Sequence, residues 1–144
     1  MKRTRSGLAV TGAVLVAGCG SATHFADNPR PATPVDLTVY VNDARVSVSP
    51  ARVGAGPVIF FVTNQASKTE SVTIHGPGNQ ATTGPINPQS TAQVTVDFSA
   101  AGDYTISTSG PSSDSAVAAG DRITPATLHI GAARPNADNA LLQP

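Results

Sequence analysis

The sequence predicts an all-β fold, a Greek-key sandwich of about seven short strands, on three observations. Apolar and polar residues alternate with period two in one segment after another, the mark of strands with one buried face. Glycine, proline, asparagine and aspartate gather between those segments, at the spacing of strands joined by turns. A helical period persists for three turns nowhere in the chain. Of 144 residues, roughly a hundred read as folded, enough for one core and not for two.

The first strand is marked by Leu37, Val39 and Val41, which alternate with Asp36, Thr38 and Tyr40. Asn42-Asp43 then supplies a turn, and Val46 and Val48 mark a second short strand. Gly54-Ala55-Gly56-Pro57 reads as a turn leading into Val58-Ile59-Phe60-Phe61-Val62-Thr63, the segment with the strongest β propensity. Alternation fails there. If Val58, Phe60 and Val62 face the core in line with Asn64, then Ile59 and Phe61 stand together on the opposite face. Either the C-terminal Leu141-Leu142 pair covers them, or they form a docking patch for a protein partner. A polar turn from Asn64 to Thr69 precedes a strand from Ser71 to His75, and Gly76 to Pro88 reads as a glycine- and proline-rich loop. Ala92, Val94, Val96 and Phe98 form the fifth strand, and Tyr104, Ile106 and Thr108 the sixth. A long loop of small residues, Ser109 to Pro125, separates these from the last strand, Ala126 to Ile130.

Ahead of the domain lies a basic start, Lys2, Arg3 and Arg5, followed by an apolar stretch from Leu8 to Ala17. That stretch is too short for a permanent membrane helix and suits the core of a secretory signal. It ends in Leu15-Val16-Ala17-Gly18-Cys19, where small residues precede the only cysteine of the chain. This arrangement resembles the lipobox of bacterial lipoproteins. The resemblance implies that residues 1–18 are removed and that the Cys19 thiol takes a diacylglyceryl group. The mature protein would then sit, lipid-anchored, on the extracytoplasmic face of the cell membrane. Residues 19–34, with Pro29, Pro31 and Pro34 and no periodicity, read as an extended tether. The domain spans 35–131, and 132–144 is a C-terminal tail.

Cleavage before Cys19 leaves six basic residues against nine acidic ones, a net charge of −3, with the basic residues scattered. Nucleic acid is therefore not an expected partner. With its one thiol lipidated, the mature chain has no disulfide, although the compartment permits one. Arginine exceeds lysine, and alanine, glycine, proline and threonine abound. That bias suits a GC-rich genome, and together with the lipobox it suggests an actinobacterium.

The stretch from Val46 to Asn64 includes a strand ending at Pro50, a glycine-containing turn, and an apolar strand closing on Asn64. Gly102-Asp103-Tyr104 opens a later strand. Together these resemble a cupredoxin-like domain over Val35 to Gly131, although the last motif also fits the tyrosine corner of an immunoglobulin-like sandwich, the alternative fold. The cupredoxin resemblance implies a first copper histidine just after the turn that follows Asn64, where this chain has Glu70. It implies a copper-binding cysteine on the strand starting at Tyr104, where this chain has Thr108. A blue-copper site needs two histidines and a thiolate, and usually a weak axial thioether. The only methionine is Met1, and the only cysteine is Cys19, so a type 1 copper centre is excluded by inventory.

Other sites are weighed residue by residue. His24 lies in the tether, and His75 and His129 alternate with core residues, so both should point away from the core. In a cupredoxin-like order their strands flank the one beginning at Tyr104, which separates the imidazoles by about 10 Å. No nucleophile elbow occurs, Gly76-Pro77-Gly78 opens no helix, and Asp97 and Asp103 read as acids solvating a turn. The expected function is that of a non-catalytic, membrane-anchored binding domain. It would carry no cofactor beyond the lipid on Cys19, and the residues identify no small-molecule substrate. Its partners would be the membrane, through the anchor, and an envelope protein, through Ile59 and Phe61. The alternatives are copper or zinc handling through His75, His129 and carboxylates such as Glu70, and an enzyme whose site the sequence does not reveal.

Overall fold

A computed structural model of the chain describes residues 31–110 and 122–136. Cys19 and the leader, His24, most of the tether, residues 111–121 of the long loop, and Leu141-Leu142 lie outside the described residues. Those described form eight strands and no helix: β1 Val35–Val41, β2 Val46–Ser49, β3 Arg52–Asn64, β4 Ser71–Gly76, β5 Asn79–Thr82, β6 Ser90–Phe98, β7 Gly102–Ser109 and β8 Ala126–Ala133. Two layers result. One is ordered β2-β1-β3-β6, the other β3-β8-β7-β4-β5, and β3 belongs to both.

The shared strand corrects the expected turn at Gly54–Pro57. The strand is continuous from Arg52 to Asn64. Arg52 to Ala55 pair with β8 in parallel, whereas Gly56 to Asn64 pair antiparallel with β6, and Val58 to Asn64 pair in parallel with β1. The β3–β8 register shifts between Gly54 and Ala55, and Gly56 sits at φ 125°, a conformation that side-chain-bearing residues rarely adopt. Those irregularities look like a turn in the sequence because they break the alternation.

A second correction concerns the loop expected from Gly76 to Pro88, which contains β5. Gly76 pairs with Asn79, so Pro77-Gly78 closes a two-residue hairpin. Proline fixes its own φ, and Gly78, at φ 71°, meets the positive φ that a type II turn demands of the next residue. The Asn42 turn forms as expected: its Oδ1 accepts from the backbone N–H groups of Ala44 at 2.9 Å and Arg45 at 2.8 Å.

The alternation read from the sequence delivers the core. Leu37, Val39 and Val41 from β1, Val58, Phe60 and Val62 from β3, and Val72 and Ile74 from β4 are buried together with Tyr104, Ile106 and Leu128. Phe98 joins the layers. Its ring meets Phe60 edge-on at a centroid distance of 6.1 Å and Tyr104 at 4.7 Å. The Tyr104 ring is fully buried, and its hydroxyl reaches the carbonyl oxygens of Pro77 at 2.7 Å and Ala100 at 3.1 Å. Gly76 packs flat on that ring, and a β-carbon there would overlap it.

Candidate functional site

At one end of the sandwich lie the positions where the family resemblance puts copper ligands. Asn64 organises this end from the last position of β3. Its Nδ2 donates to the carbonyls of Lys68 and Ile86, both at 2.8 Å, and its Oδ1 accepts from the Ala66 N–H at 2.9 Å. A fully buried amide is thereby satisfied on both sides, and the loop after β3 is pinned to the segment before β6. Glu70 follows, its N–H and C=O both bonded to Ile86 at 3.1 and 2.8 Å. The antiparallel β4–β7 register sets Val72 opposite Thr108 and Ser71 opposite Ser109. Glu70 therefore faces Gly110, and a β-carbon at Gly110 would overlap its carboxylate.

The fold thus sets Glu70 beside Gly110, two residues past Thr108, and the donor set does not fit blue copper. Glu70, expected as a candidate surface carboxylate, is only 1% exposed, because its backbone bridge to Ile86 turns the side chain inward. Among the described residues no group of three His, Cys, Asp or Glu is arranged to hold a metal.

His75 and His129 are exposed on the outer face of the second layer, as their alternation predicts. β7 runs between their strands, with Thr105 opposite His75 and Asp103 opposite His129. The structure does not bring the two histidines together. His75 borders a shallow depression with Gly76, Gly78, Asn79 and Gln80. His129 borders another, where its Nδ1 is hydrogen-bonded to Asp103 Oδ1 and Arg52 is its neighbour on β3. The sequence reading missed this grouping, because it depends on the pairing of three strands distant in sequence.

The outer face of the first layer carries the predicted apolar patch. Ile59 is half-buried and Phe61 is 38% exposed, flanked across the ladders by Thr38 on β1 and Gln93 on β6. Tyr40, read from sequence only as an outward position, is 47% exposed beside Thr63. Around them the face is threonine, serine and glutamine, with Thr63 and Thr91 hydroxyls 3.0 Å apart. Its charges, Asp36 and Asp97, stand toward one end of the ladders, near Ile59 and Pro57.

No protein-family model matches the chain, and no curated protein matches it. Solved structures share its fold. One chain of a heme-copper terminal oxidase dimer aligns over 72% of this chain and 71% of its own length, with a TM-score of 0.51 and 12% identity. Auracyanin A, a blue copper protein from the green thermophilic photosynthetic bacterium Chloroflexus aurantiacus, aligns over 69% of this chain and 100% of its own, with a TM-score of 0.49 and 15% identity. Auracyanin from Roseiflexus castenholzii aligns over 69% and 98%, with a TM-score of 0.47 and 15% identity. At these identities the likeness is one of fold alone. The described domain is an all-β sandwich similar in fold to that terminal-oxidase chain, and nothing about copper passes to it from these proteins.

Proposed function

We propose that this protein is a lipid-anchored envelope protein whose cupredoxin-like domain is non-catalytic and docks a protein partner through the outer face of its first layer. The observation that carries the reading is the pair Phe61 and Tyr40, the large hydrophobic side chains exposed among the described residues, set on adjacent strands of a face poor in charge. Aromatic rings amid short hydroxyl side chains suit a protein contact: they supply large rigid area and hydrogen bonding without desolvating charge. The anchor rests on the Leu15–Cys19 motif and the leader before it. A single acyl chain holds a protein only weakly, while the two chains of a diacylglyceryl group hold it persistently.

Two experiments test the reading. Cys19→Ser removes the thioether nucleophile, so incorporation of labelled fatty acid should cease; continued labelling would refute the anchor. For the face, the full chain is used to capture partners from envelope extract. Phe61→Ser should abolish capture with an unchanged denaturation midpoint, and truncation before Ala140 should leave capture and hydrophobic-dye binding unaltered. If truncation destabilises the domain and increases dye binding, the C-terminal leucines cover the face and the docking reading fails.

A further inference from the structure

Three side chains of unlike chemistry form a row across the second layer. His129 on β8 is in register with Arg52 on β3 and with Asp103 on β7, and all three are exposed on the outer surface. An ionised carboxylate only accepts hydrogen bonds, so His129 Nδ1–H donates to Asp103 and Nε2 is the nitrogen that remains for another partner. Among the described residues the Arg52 guanidinium has neither an ion pair nor a hydrogen bond.

The next row along the same strands has no side chains, since Gly54 is in register with Gly131. The charged row therefore overlooks an open cleft of about 530 Å³, which Val53 and Ile130 also line. Gly54 is required by packing, because a β-carbon there would lie 2.7 Å from both the Ala132 carbonyl oxygen and Arg134 Cγ. Gly131 is not: the nearest atom to a β-carbon there is the Val53 carbonyl oxygen at 3.9 Å. The fold would accept a side chain at 131, and its absence is what leaves the cleft open. The register shift of the β3–β8 ladder falls at the same place, and such irregularities often border binding sites.

We propose that this cleft binds a small organic anion, its carboxylate or phosphate held between Arg52 and His129 and its body in the open space over Gly131. Arginine presents a fork of donors that matches either oxyanion. Asp103 lies on the far nitrogen of the imidazole, where it fixes the ring. Arg52 beside His129 opposes a metal cation and favours an anion. With both ring nitrogens protonated, His129 donates from Nδ1 to Asp103 and from Nε2 to the ligand. The other charges near the ring are Asp103 and Arg52; Arg134, over Gly54, is already engaged by the carbonyls of Thr33, Ala55 and Pro57.

The test is an amide-shift titration of the full chain with benzoate and with inorganic phosphate, using chloride as the ionic-strength control. Saturable shifts are expected at His129 and Gly131 with at least one of the two oxyanions and not with chloride. Tighter benzoate binding assigns a carboxylate ligand with an apolar body, and tighter phosphate binding assigns a phosphate ester. Arg52→Ala should weaken binding by about tenfold or more, as loss of a charged fork does. Gly131→Val should fill the cleft and block binding with an unchanged melting temperature. His129→Gln, which keeps a polar group and loses the charge, should weaken binding. Shifts that do not saturate, that chloride reproduces, or that persist in Arg52→Ala would overturn the proposal.

Discussion

The two outer faces of the sandwich are built partly from the same strand and differ in almost every respect. On the first layer, β3 presents Ile59 and Phe61 in a flat field of threonine, serine and glutamine. On the second it presents Arg52 and Gly54, a cation beside a recess, next to the His129–Asp103 pair. The difference arises within a few residues. Even-numbered positions face outward at Arg52 and Gly54, whereas odd-numbered ones do so at Ile59 and Phe61, and the parity inverts between buried Ala55 and buried Val58. A strand that changes sheets can therefore offer two unrelated surfaces while its buried side chains serve one core.

The parity change rests on Gly56, and substitution there should break the comparison outright. A side chain would be strained at φ 125°, and its β-carbon would lie 2.9 Å from Arg134 Nη2 and 3.3 Å from Ala32 Cβ. Gly56→Val should lose at least about 2 kcal/mol and disturb both faces together. An unchanged denaturation midpoint would show that the crossing does not depend on glycine.

A smaller loss, shared by the two layers, is expected from Tyr104→Phe. The hydroxyl bonds that tie β7 to Pro77 and Ala100 disappear while the ring contact with Phe98 remains. The expected cost is about 0.5–1.5 kcal/mol. Hydrogen exchange should rise in both layers, because the rings join them; a rise confined to β7 and β8 would show that the layers are less coupled than their packing implies.

The smallest effect should touch the first layer alone. Asp43, in the β1–β2 turn, accepts from the Ser67 N–H at 2.8 Å and from the Ser67 hydroxyl at 2.9 Å, and these bonds hold its carboxyl below the ordinary value of 3.8. A carboxyl with a lowered folded-state pKa contributes stability above its unfolded value, and that contribution is lost as pH falls through the folded one. Being exposed, it contributes little. A small gap in denaturation midpoint between the parent and Asp43→Asn at about pH 6 should narrow as pH falls below 3.8. A gap that widens on acidification would contradict the assignment.

Much of this architecture was legible in the residues, for physical reasons that also mark where reading stopped. Leu37, Val39 and Val41 report one buried face because β1 keeps one parity throughout, and Tyr104 reports a strand start because its hydroxyl needs backbone partners close by. The first half of β3 was hidden, since a strand whose parity slips resembles a turn. β5 was hidden too: Asn79–Thr82 has little strand propensity, and its ladder to β4 is what holds it extended. Of the candidate site residues, Ile59 and Phe61 were visible as a local excess of apolar side chains. The Arg52–His129–Asp103 row was not, because register between distant strands leaves no local trace. Glu70 also escaped, its burial set by the bridge to Ile86 rather than by its own neighbours in sequence.

The central claim, that a protein partner docks on the first layer and not on the second, is tested most directly by photocrosslinking the full chain in cells. A benzophenone amino acid is placed at Phe61 in one variant and at Thr105, exposed on the outer face of β7, in the other. One dominant protein adduct is expected from position 61 and none from position 105. Equal adducts from both positions, or none from position 61 in a chain that folds and is anchored normally, would contradict the claim.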